Sequence, residues 1–93
     1  MEKQELINSL EDLRNNLDKG KFKYCNLTIN EMSIFACPEL KVTTDGFLFL
    51  YSGTTTDTTI VIKLDLIKYL HAFAITSGNK EVEEVIDYGC IKD

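Results

Sequence analysis

Along the chain the apolar positions keep one period, switch to a second, and then return to the first. From Glu2 to Lys19 they fall at Leu6, Leu10, Leu13 and Leu17, spacings of four, three and four, with Ile7 widening the stripe. That is the period of an amphipathic helix. Glu2 and Glu5 in its first turn and Lys19 in its last suit the helix dipole, and Gly20 supplies a left-handed stop. The same spacing occurs in coiled coils, but it lasts barely two heptads here, so packing onto the chain's own sheet is the expected use.

From Lys21 to Leu64 the period becomes two, the mark of strands with one buried face. Lys21 to Ile29 predicts a first strand whose apolar residues change face near Tyr24, which a bulge would explain. Glu31 to Cys37 predicts a second, with Met32, Ile34 and Ala36 on one face and Pro38 ending it. Asp45-Gly46 between Leu40–Thr44 and Phe47–Tyr51 predicts a hairpin with a two-residue type I′ turn. That turn would set Thr44 against Phe47, Val42 against Phe49 and Leu40 against Tyr51 on the core face, leaving Leu48 and Leu50 on the other. Thr58 to Leu64 predicts one more strand, with Ile60, Ile62 and Leu64 facing one way.

Beyond it the spacing turns helical again. Asp65 reads as the N-cap of a helix running to about Ser77, with Leu66, Ile67, Leu70, Phe73 and Ala74 as its stripe and Gly78-Asn79 as its stop. Val82, Val85 and Ile86 predict a short third helix over about Lys80 to Tyr88. The expectation is one α+β domain over residues 1–93: an N-terminal helix, an antiparallel sheet of four to five strands, and two C-terminal helices (α-β-β-β-β-β-α-α).

Composition narrows the function classes. Fifteen acids against ten bases give the 93 residues a net charge of −5, and Arg14 is the only arginine. Nucleic-acid affinity rests on clustered Lys and Arg, so direct nucleic-acid binding is not expected. The longest apolar run, Phe47 to Tyr51, is far too short for a membrane span or a signal-peptide core. Cys25, Cys37 and Cys90 form an odd set without a leader, which reads as reduced thiols in a cytoplasm. No C-x-x-C pair occurs, and these cysteines with His71, the only histidine, are scattered over four predicted elements, so neither metal nor other cofactor is expected.

Candidate chemistry is sparse. His71 sits between Leu70 and Ala72 with no nucleophile elbow presenting a thiol to it, and no catalytic residues are assigned. Neither a G-x-x-x-x-G-K-[ST] nor a G-x-G-x-x-G phosphate cradle is present, and enzyme activity is not expected. The polar loop containing Ser52, Thr54, Thr55, Thr56 and Asp57 could hold a small ligand or a nucleotide, although a plain hairpin connection accounts for it more simply. Lys19, Lys21 and Lys23 beside Phe22 and Tyr24 suggest a single-strand reader, but lysines guarding a strand edge explain them better.

The distribution of charge is more informative. Residues 1–18 and 79–93 each carry a net −3, whereas 19–78 carry +1. If the terminal segments are neighbours, Glu11, Asp12, Asp18, Glu83, Glu84 and Asp87 form one acidic face that steers toward basic partners. In outline, a helix, an antiparallel sheet and then helices on a small acidic chain rich in Lys, Asn, Ile and Thr, the protein resembles phage-encoded anti-defence proteins such as anti-CRISPR inhibitors. The resemblance lies in architecture and composition and matches no motif residue by residue. It implies a cytoplasmic inhibitor, in the bacterial host if phage-encoded, that binds the basic groove of a larger nucleic-acid-handling protein. Two other expectations stand beside it: a ligand-sequestering module built on loop 52–59, and a homodimer formed through the Leu6–Leu17 stripe or through a hairpin apolar on both faces at Leu48 and Leu50.

Overall fold

A computed structural model describes residues 2–51 and 59–89. Helix α1 (Lys3–Asp18) begins where the Glu2 backbone N–H donates to the Glu5 carboxylate at 2.7 Å, and it ends one residue short of a left-handed turn at Gly20 (φ +85°). Among the described residues seven strands follow: β1 (Phe22–Ile29), β2 (Met32–Cys37), β3 (Glu39–Val42), β4 (Phe47–Tyr51), β5 (Thr59–Lys63), β6 (Leu70–Thr76) and β7 (Val82–Tyr88). They form two antiparallel sheets, a four-stranded one ordered β2-β1-β6-β7 and a three-stranded one ordered β3-β4-β5. The chain passes from one sheet to the other at Pro38, which ends β2 as its missing N–H requires.

Helix α1 packs against β3, β7 and β1, so it touches both sheets. Leu6, Leu10 and Leu13 are fully or almost fully buried and join Leu27, Leu50 and Leu70 in one apolar cluster. The leucine stripe is therefore used inside the protomer, as the brevity of its repeat predicts.

The two C-terminal helices do not exist. Residues 64–66 form a single 3-10 turn, and the segments expected to be helical are β6 and β7. In β6 the buried residues Leu70, Ala72 and Ala74 alternate, while Phe73 points away from the core and Leu66, another member of the expected stripe, is 64% exposed. Gly78-Asn79 is a hairpin turn and not a helix stop: the Thr76 N–H donates to Glu81 O at 2.9 Å, and Lys80 turns left-handed at φ +58°. In β7, Ile86 stands opposite Ala72 and Glu84 opposite Phe73, leaving Val85 unmatched. This bulge converts a period of two into the 82, 85, 86 spacing that imitates a helix. Tertiary context decided between the two: β1 is a central strand, and β6 supplies the backbone partners it needs. Asp65 caps nothing, and its carboxylate instead pairs with Lys3 of α1.

The β3–β4 register also differs from expectation. Val42 pairs with Leu48 and Leu40 with Leu50, and the loop is Thr44-Asp45-Gly46, three residues with Gly46 at φ +92°. Such a loop combines a turn with a left-handed bulge residue. The Thr43 hydroxyl fixes it by accepting from the Phe47 N–H at 3.0 Å. A one-residue shift exchanges the two faces of a strand. Leu40, Leu48 and Leu50 consequently lie in the core, and Phe47, Phe49 and Tyr51 are half-buried on the opposite face. Of the two apolar hairpin faces expected to support a homodimer, the leucine face is thus covered by the chain itself and the aromatic face is left outward.

In the four-stranded sheet the bulge in β1 agrees with the pattern, whereas the expected β2 face of Met32, Ile34 and Ala36 does not form. The register of β1 against β6 shifts between Phe22 and Tyr24, where the apolar residues change face. In β2, Ala36 adopts φ +55° and its N–H donates to the Asn26 side-chain oxygen at 2.8 Å, so Cys37 and not Ala36 follows Ile34 into the core.

Candidate functional site

Although α1 and β7 come from opposite ends of the chain, they lie side by side. The groove between them is a cleft of about 220 Å³, lined by Ser9, Asp12 and Asn16 from the helix and Glu83 and Glu84 from the strand, with Lys21 and Phe22 beside them. Residues at i, i+3 and i+7 share one helix face, which explains why Ser9, Asp12 and Asn16 appear together. Glu83 stands opposite the inward-facing Ala74, but β7 is the last strand of its sheet, so the side chain emerges to solvent alongside the helix. Three acidic residues thus line the cleft with one basic residue, Lys21, whose ammonium lies 5.3 Å from the centre of the Phe22 ring. The cleft is net acidic and open.

Of the six acidic residues expected to form a face, Asp12, Glu83 and Glu84 converge here. The other three do not. Glu11 lies on the other flank of α1, in a groove with Lys3, Gln4, Val42 and Thr43. Asp18 stands 3.7 Å from the Arg14 Nε. Asp87 pairs in register with His71 on the outer face of the four-stranded sheet. Ser52, Thr54, Thr55, Thr56 and Asp57, the expected loop contacts, lie outside the described residues. The lysine-guarded edge is also corrected: β1 runs between β2 and β6, so Lys23 lies on a central strand and Lys21 belongs to the acidic cleft.

One cluster escaped the sequence reading. The Tyr69 hydroxyl lies 3.2 Å from His71 Nδ1, and His71 Nε2 hydrogen-bonds the Glu84 carboxylate. With the phenol donating to Nδ1, Nε2 carries the hydrogen given to Glu84. The Phe73 ring lies 4.7 Å from the imidazole, so the outer face of β6 carries a row of Tyr69, His71 and Phe73. Alternate spacing at 69, 71 and 73 is the signal, but it becomes visible only when the segment is read as a strand. Glu84 lines the rim of the cleft while its carboxylate is held by His71, so the acidic edge of β7 borders both faces of the sheet.

Cys25 and Cys37 are buried, free thiols paired across β1 and β2, while His71 faces the other side of that sheet, so these groups do not converge on a metal. Cys90 lies outside the described residues. Among the described residues no group of three His, Cys, Asp or Glu side chains is placed to hold a metal ion, and no helix is long and apolar enough to cross a membrane. Compared with known protein families, curated proteins and solved structures, the chain matches none.

Proposed function

We propose that this chain is a non-enzymatic interaction protein whose α1–β7 cleft receives a basic segment of a larger partner. The observation that supports this most is the convergence of Asp12 with Glu83 and Glu84, residues some seventy positions apart, on one open groove. Clustered carboxylates speed encounter with a basic surface and reject acidic ones. Charged residues along an edge strand also discourage strand addition, so side-chain recognition is favoured over β-pairing at β7.

A partner that itself holds nucleic acid presents the complementary surface, and an inhibitor occupying that groove in the cytoplasm is the form we favour. Part of the basis for comparing it with phage-encoded anti-defence proteins falls away with the two C-terminal helices, leaving size, acidity and composition. Burial of Leu6, Leu10, Leu48 and Leu50 within the protomer removes the leucines from any homodimer contact and leaves for it only the half-buried face of Phe47, Phe49 and Tyr51.

Titration of isotopically labelled protein with an arginine-rich peptide tests the location. The largest amide shifts are expected at Asp12, Asn16, Glu83 and Glu84. Shifts shared equally among all the carboxylates, or largest on β3–β5, would contradict the proposal.

A further inference from the structure

The β1–β2 pair carries a second chemical feature, unrelated to the acidic cleft. Cys25 and Cys37 are register partners of the antiparallel β1–β2 pair, just beyond the register shift between Cys25 and Leu27, and both are fully buried. Partners in such a ladder stand about 4.5–5.5 Å apart at Cα, inside the window of about 4.4–6.8 Å that a disulfide needs. The Cys25 thiol already reaches its partner residue, with Sγ 3.5 Å from Cys37 O, while Cys37 Sγ lies 3.2 Å from Glu39 O. Hydrogen bonding to Cys37, and then burial, hold the Cys25 thiol well above its ordinary range.

We infer that Cys25 and Cys37 are a preassembled dithiol that closes to a cross-strand disulfide, a modification site for small-molecule disulfides. In the reaction one cysteine sulfur attacks the reagent disulfide and releases one thiol, and the second cysteine then displaces the other. Two S–H bonds are lost and one S–S bond forms in the protein, while the reagent takes up both hydrogens as two thiols. The bond would tie β1 to the end of β2, at the Pro38 corner where the chain crosses to the other sheet. Access comes through β2. It is an edge strand with a single neighbour, it carries the left-handed Ala36 next to Cys37, and its Phe35 is 68% exposed. Opening of such a strand requires less than global unfolding, so the reaction is slow but proceeds in the native state.

The test uses the full chain, reduced and then incubated with oxidised glutathione in native buffer, followed by alkylation in denaturant and tryptic mapping. Both cysteines fall in the peptide spanning residues 24–41, and cleavage after Glu31 separates them. Expected is a 24–41 peptide lighter by two hydrogens and unalkylated at both sites, whose halves stay joined after cleavage at Glu31. The oxidised protein should keep its circular dichroism spectrum, and its urea midpoint should rise and return on reduction. The inference is overturned if both thiols remain alkylatable, if each carries a separate glutathione, if Cys90 bonds to either of them, or if the bond forms only above the urea midpoint. A Cys37→Ser variant should abolish the two-hydrogen loss, and its persistence would also overturn the assignment.

Discussion

The two sheets solve the same interior problem and finish their exteriors differently. Both turn leucines toward α1, and their buried residues form one cluster. Outside, the three-stranded sheet presents Phe47, Phe49 and Tyr51 along its central strand, with Lys41 and Lys63 opposite Phe49 and Phe47. The four-stranded sheet ends in an acidic edge strand whose Glu83 and Glu84 border the cleft against α1, the Glu84 carboxylate being bonded to His71. Burial of leucine is non-directional and cannot distinguish the sheets, whereas carboxylates placed on an edge create a field with a location. The difference between the sheets therefore lies in their edges and not in the core.

The glycine after β7 and the glycine in the β3–β4 loop differ as well, and substitutions expose this. A Cβ on Gly89 (φ +89°) would lie 2.1 Å from the Lys68 carbonyl oxygen, a backbone atom that cannot step aside, whereas a Cβ on Gly46 (φ +92°) would meet nothing within 4 Å. Gly89→Ala combines collision with backbone strain and should cost about 4 kcal/mol or more, enough to unfold much of the protein. Gly46→Ala meets only the strain, about 1–2 kcal/mol. Urea denaturation of both variants checks this, and equal losses would show that the two positions are not distinct.

Next in size is Asn30. Its side-chain oxygen accepts from the Lys68 and Tyr69 N–H groups at 2.8 and 3.1 Å, its amide donates to Leu66 O at 3.0 Å, and its backbone sits at φ +53°. It thus pins the β1–β2 turn to the start of β6. Asn30→Ala removes these bonds and the residue type best suited to that conformation, so a loss of about 2–3 kcal/mol is expected in the same denaturation assay. An unchanged midpoint would mean that the four-stranded sheet does not depend on this anchor.

The smallest effect belongs to the contact joining α1 to the segment after the three-stranded sheet. Lys3 and Asp65 pair with side chains 49% and 62% exposed, where solvent screens the charges. Asp65→Asn should change stability by under about 0.5 kcal/mol. A larger loss would assign to this exposed pair a role that the packing of α1 is taken to fill.

What could be read in the sequence follows the same division. The helix, the bulged β1, the break at Pro38 and the strand Thr59–Lys63 were legible, because each rests on local periodicity or on one residue's backbone restriction. β6 and β7 were not. Leu70, Phe73 and Ala74 fit a helix as well as a strand, and the bulge at Val85 supplied a false helical spacing. The acidic termini were visible as composition, and three of the six acids named from it, Asp12, Glu83 and Glu84, line one cleft. Which three depended on β7 lying at the sheet edge beside α1, a long-range pairing that no local pattern encodes.

The most direct test of the acidic cleft is affinity capture from the native host with three full-length proteins. One is unchanged, one carries Asp12→Lys, Glu83→Lys and Glu84→Lys, and one carries Glu31→Lys and Glu39→Lys away from the cleft. The charges reversed in the second protein are exposed, so its fold should persist, as circular dichroism will verify. The expected result is a basic protein retained by the first and third at low salt, released by rising salt, and held at least tenfold more weakly by the second. Equal retention by all three, or loss from the third alone, would contradict the assignment of the cleft.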